Sequence, residues 1–130
     1  MLERLLWIAI GVCAIGIVAP AQERFKLLGT NRTGTMQDEL NEAGAAGYRF
    51  AGTQGGETAF GDREAVVVME RDPEGRRYRY ILLATNRTGT LEDELNEVPP
   101  ESAFAGMTVF EPMFGGKEAA VILQVEMGEE

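Results

Sequence analysis

The chain has 130 residues, 45% of them apolar and 25% charged, with no histidine, one cysteine and a formal net charge of -9. That composition describes one small globular unit, and its acidity disfavours nucleic acid and anionic lipid, whose binding needs clustered Lys and Arg. Lacking histidine, the chain has none of the histidine-dependent triads or common zinc and haem sites; we expect no cofactor, and catalysis would have to run on carboxylates, hydroxyls, Lys or Arg.

Residues 1–21 read as a secretory signal peptide. Glu3 and Arg4 precede an apolar run from Leu5 to Ala19, and Ala19-Pro20-Ala21 offers small residues for cleavage before Gln22. The run is shorter than the roughly 20 residues needed to cross a bilayer, so the expectation is an exported, secreted or periplasmic protein without stable membrane insertion after cleavage, a retained anchor being the alternative. Cys13 lies inside that run, which leaves the exported part without disulfides or thiolate chemistry.

The remainder reads as two copies of one unit, 22–72 and 73–130. At a shift of 55, Phe25 to Thr35 overlies Tyr80 to Thr90 and Asp38 to Glu42 overlies Asp93 to Glu97. After a one-residue deletion the shift is 54, pairing Phe50-Ala51-Gly52 with Phe104-Ala105-Gly106, Phe60-Gly61 with Phe114-Gly115, and Glu64 to Met69 with Glu118 to Leu123. Such an internal repeat fills the exported chain and leaves no separate catalytic domain.

In chain order, each copy predicts strand, helix, strand, strand. First strands fall at Arg24 to Thr30 and Arg77 to Ala84, each ending in Thr-Asn-Arg-Thr-Gly. Thr35 and Thr90 then suit N-caps, with Asp38 and Asp93 three residues on. Helical spacing puts Met36, Leu40 and Ala43 on one buried face, and Leu91, Leu95 and Val98 on the other copy's, leaving Gln37, Asp38, Asn41 and Glu42 to water. Gly44 and Gly47 end the first helix and Pro99-Pro100 the second. Second strands follow around Tyr48 to Thr53 and Ala103 to Phe110. The third, Ala65 to Met69 and Ala119 to Leu123, are unbroken apolar runs that ask for cover on both faces, from the other copy or another subunit. Between the copies Asp72-Pro73-Glu74-Gly75 predicts a reverse turn joining a hairpin. The expected fold class is α+β, two tandem repeats sharing one core in mostly antiparallel sheet, because a single copy is near the lower size limit for independent folding.

The sequence Phe25-Lys26-Leu27-Leu28, the segment Glu39-Leu40-Asn41-Glu42-Ala43-Gly44-Ala45-Ala46-Gly47-Tyr48-Arg49-Phe50 and the strand ending Met69-Glu70-Arg71 resemble the domain of unknown function 4177. The second copy departs where Pro100-Glu101-Ser102-Ala103 replaces the Gly-aromatic step. The resemblance implies a small α+β fold and carries no activity.

Candidate ligand residues are Asn31, Arg32 and Thr33 with Asn86, Arg87 and Thr88, identical turns at two helix N-termini where backbone N–H groups and an arginine suit a small polar or anionic ligand. The competing reading is a local turn whose residues cap the helix, with Arg32 and Arg87 paired to nearby acids. Both turns also fit the glycosylation acceptor pattern. Arg77 and Arg79 alternate with Tyr78 and Tyr80 and read as a charge-guarded edge strand facing Glu70, Asp72 and Glu74 across the hairpin. Asp62, Asp72 and Glu74 make no calcium loop, and Glu126, Glu129 and Glu130 read as a solvated tail. The functional expectation is a non-enzymatic interaction or structural module that binds a protein or small ligand and forms a possible homo-oligomer.

Overall fold

A computed structural model describes residues 23–55, 64–111 and 116–128. The expected signal segment, Phe60-Gly61, Asp62, Phe114-Gly115, Glu129 and Glu130 lie outside the described residues.

Among the described residues the fold is α+β, with six antiparallel strands in two three-stranded sheets and two helices. The first half contains β1 (Phe25–Thr30), α1 (Thr33–Ala45), β2 (Tyr48–Gln54) and β3 (Ala65–Arg71). The second contains β4 (Tyr78–Thr85), α2 (Thr88–Leu95), β5 (Ala103–Phe110) and β6 (Glu118–Glu126). In each half the third strand is central, giving the orders β1-β3-β2 and β4-β6-β5. The register also repeats: Leu27 pairs with Val68 as Leu82 pairs with Ile122, and each second strand carries an irregularity, at Phe50/Gly52 and Phe104/Gly106.

The apolar third strands hold the centres because burial of their Val, Ile and Leu side chains is worth roughly 1.5 to 3 kcal/mol each. One core joins the halves. Met36, Leu40 and Ala43 of α1 pack with Leu28, Val67 and Met69 of the first sheet, and with Tyr80, Ala120 and Ile122 of the second. A smaller cluster lies on the second sheet's other face, where Leu91, Leu95 and Val98 cover Ile81, Leu83, Val121 and Leu123.

Three expectations are corrected. Asp72 to Gly75 does turn, with the Gly75 N–H donating to the Asp72 carbonyl at 3.1 Å and Gly75 at φ +73°. It joins no hairpin, however, because β3 and β4 belong to different sheets. The helices begin at Thr33 and Thr88, two residues before the expected caps, and neither start has a side-chain cap. Instead Thr30 Oγ1 accepts the Arg32 N–H at 3.2 Å and Thr85 Oγ1 accepts that of Arg87 at 3.1 Å, so the threonine ahead of each turn organises it.

Finally, Gln37 and Asn41 do not simply face water. The Leu82 N–H donates to Gln37 Oε1 at 2.8 Å, Gln37 Nε2 donates to the Tyr80 carbonyl, and the Tyr80 N–H donates to Asn41 Oδ1 at 2.6 Å. These side chains satisfy the free edge of β4 as a neighbouring strand would. Gly44 permits that approach, since a Cβ there would collide with the Tyr78 carbonyl oxygen.

Candidate functional site

The two expected ligand turns are brought to different surroundings. Arg32 and Arg87 are exposed, and among the described residues neither forms an ion pair, contrary to the expected pairing with the first-turn acids. The second turn, through Asn86, Arg87 and Thr88, borders a groove of about 370 Å³ floored by Leu91, Met107 and Val109. The first turn, with Asn31, Arg32 and Thr33, does not line it. In that half β2 runs against β5, so closely that a Cβ on Gly55 would meet the Val109 backbone. The duplicated turns therefore share no described cleft.

A larger cleft, about 800 Å³, lies where the halves meet. It is built by the end of α1, the start of β2, the end of β3 and the linker, and four arginines reach it: Arg24, Arg49, Arg71 and Arg77. Two carboxylates share the lining. Arg24 donates to Glu70 Oε2 through Nη2 at 2.9 Å and Nε at 3.1 Å. Arg49 stands 3.7 Å from Asp72 Oδ1. Arg24 and Arg49 are thus matched by Glu70 and Asp72, and Arg77 adds a positive charge to the lining in a chain of net charge -9.

Asp72 is the organising residue. Although only 2% exposed, it accepts from the Glu74 N–H at 3.0 Å, the Arg76 N–H at 3.0 Å, Arg76 Nε at 3.1 Å and the Tyr78 hydroxyl at 2.8 Å. Burial pushes its carboxyl upward, but the hydrogen bonds from Arg76, Tyr78 and Glu74 outweigh burial and hold it well below the usual carboxylate range. Burial and the Asp72 contact push the Tyr78 hydroxyl up, and burial does the same to Tyr80. Tyr80 donates to Gln124 Oε1 at 2.7 Å and accepts from the Phe50 N–H at 2.9 Å, tying β4, β6 and β2 together.

This chemistry suits holding an anion. Asp72 is saturated with donors and is a poor general base, whereas Arg77 has no ion pair among the described residues. Among the described residues, no group of three or more Asp, Glu, Cys or His side chains could hold a metal ion. No described helix is long and apolar enough to cross a membrane. Residue-by-residue reading missed the cleft because its arginines are spread from position 24 to 77; the signal available was the Arg76-Arg77 pair beside an Asp-Pro-Glu-Gly turn.

No family model matches the chain, and no curated protein or solved structure matches it either.

Proposed function

We propose that the protein is an exported, non-enzymatic binding module that seats a small anionic group, a carboxylate or phosphate, in the arginine-bordered cleft between its halves. The observation that carries this reading is the convergence of Arg24, Arg49, Arg71 and Arg77 on one concave surface of an otherwise acidic chain. Arginine forks suit carboxylate and phosphate oxygens, and a cleft raises the local field. The overall negative charge opposes long polyanions, which restricts the ligand to a small anion or a single acidic side chain. This reading favours the cleft over the turns at Arg32 and Arg87, which share no described cleft.

Titration calorimetry with succinate and inorganic phosphate at low ionic strength tests the reading. Binding that Arg77→Gln weakens at least tenfold and Arg79→Gln leaves intact is expected. Absence of binding by both anions, or equal loss in the two variants, contradicts it.

A further inference from the structure

The corresponding first strands of the two halves have different neighbours. The free edge of β4 is met by Gln37 and Asn41 of α1, as described above. β1 is likewise the edge strand of its sheet, and its exposed side chains include Phe25 at 49% and Leu27 at 61%. Leu28 and the odd-numbered residues alternate across it. Leu28 is in the core, whereas Phe25 and Leu27 correspond to Tyr80 and Leu82, the residues whose backbone groups point away from the central strand. The Arg71 N–H takes the Arg24 carbonyl, which sets the same alternation in β1: even residues face β3 and odd residues face outward.

A second α2 cannot cap that edge in the way α1 caps β4. The counterpart of Gln37 is Glu92, a carboxylate with no donor for the Phe25 carbonyl. Moreover α2 has 8 residues against 13 in α1, and Pro99 stands at the counterpart of Gly44. A head-to-tail chain of copies built on the internal contact is therefore blocked, which leaves the closed, two-fold arrangement.

We propose that the edge of β1 takes a second copy of this chain, β1 against β1, antiparallel and centred on Leu27, so that two three-stranded sheets become one of six strands. In that register Leu27 exchanges backbone hydrogen bonds with its own counterpart, and Phe25 stands opposite Gly29 of the other copy. The charges then agree. The Arg24 guanidinium lies over the Phe25 ring at 4.8 Å, while the Glu64 carboxylate lies beside Gly29, 3.2 Å from where a Cβ would be. Pairing Phe25 with Gly29 brings Arg24 of each copy, already held by its own Glu70, toward Glu64 of the other, twice per dimer. An aromatic ring over an opposing strand glycine also covers backbone that the glycine leaves bare. Paired strands of about six residues bury less than a standard interface, so association is expected in the micromolar range or weaker.

Sedimentation velocity from about 1 µM to 1 mM, together with amide exchange, decides it. The expected result is a concentration-dependent dimer in which the Phe25, Leu27 and Gly29 amides become protected as it forms. Leu27→Pro removes an outward N–H without touching the pairing with β3, and should abolish the dimer. Leu27→Lys, at an exposed position, puts like charges face to face on the axis; it should raise Kd at least tenfold at low salt and recover partly at high salt. It keeps the test open should the proline variant fail to fold. A wild-type monomer at 1 mM, a dimer that leaves these amides unprotected, or a Kd insensitive to Leu27→Lys overturns the proposal. Because Arg24 also borders the anion cleft, Arg77→Gln serves as the separating control: it should affect anion binding and leave the dimer unchanged.

Discussion

The two halves share an element order and a register but turn opposite surfaces to the joint core. Leu82, Ala120 and Ile122 of the second half lie in or against the joint core, whereas their counterparts include Leu27, 61% exposed, and Val68, half-buried. The helices differ in the complementary sense. One side of α1 covers its own sheet while its polar side chains hold the edge of β4, but α2 covers only its own sheet. Repeated sequence therefore leads to unequal environments, because α1 packs against both sheets while α2 packs only against its own. A handful of substitutions, Gln37 against Glu92 and Gly44 against Pro99, match the unequal roles.

The largest break in this comparison comes from Gly44. Gly44→Ala would ordinarily help a helix, yet here its Cβ meets the Tyr78 carbonyl, and we expect a loss of about 2 to 3 kcal/mol in urea unfolding. Gly34, with nothing within 4 Å of its Cβ direction, should gain about 0.4 to 1 kcal/mol as Gly34→Ala. Similar losses for the two would show that α1 does not touch β4.

Asp72→Asn should cost about 2 kcal/mol at neutral pH, since it weakens an acceptor of four hydrogen bonds. The sign follows from its depressed pKa. The folded state keeps the carboxylate while the unfolded chain takes up a proton near pH 4, so this contribution is complete above that pH and lost as pH falls further. The gap in melting temperature between wild type and variant should be constant above about pH 5 and narrow toward pH 2. Glu126, its exposed counterpart, should tolerate Gln with a change within about 0.5 kcal/mol.

Exchanging the helices' key side chains sharpens the comparison further. Gln37→Glu leaves the Tyr80 carbonyl without its donor and should cost about 1 to 2 kcal/mol, measured by thermal melting. The reciprocal Glu92→Gln, on the exposed side of α2, should change stability by less than about 0.5 kcal/mol. Equal effects would mean that the two helices do equivalent work.

Much of the fold was legible in local pattern. Strand positions, both helices, the burial of Met36, Leu40 and Ala43, and the separation of Arg79 from Tyr78 and Tyr80 onto opposite faces follow from periodicity that neighbouring residues impose. What was not legible depends on contacts between the halves. Gln37 and Asn41 are polar residues at solvent-facing helical positions, and only the arrival of β4 turns them into strand caps. The linker looked like a hairpin because its turn chemistry is local, while the separation of β3 from β4 is decided by which strand each central strand recruits. For the candidate site, the Thr-Asn-Arg-Thr-Gly turns stood out through identity, and in both halves that identity accompanies the same local turn, with Thr30 and Thr85 accepting the Arg32 and Arg87 N–H groups. The arginine cleft left no contiguous motif.

The unequal edges are tested most directly by amide exchange in the Leu27→Lys variant at low salt and low protein concentration, where association is minimal. The Tyr80 and Leu82 amides, held by Asn41 and Gln37, should open only with global unfolding, whereas those of Phe25 and residue 27 should exchange close to the rate of an unstructured chain. Equal protection of both pairs would contradict the account.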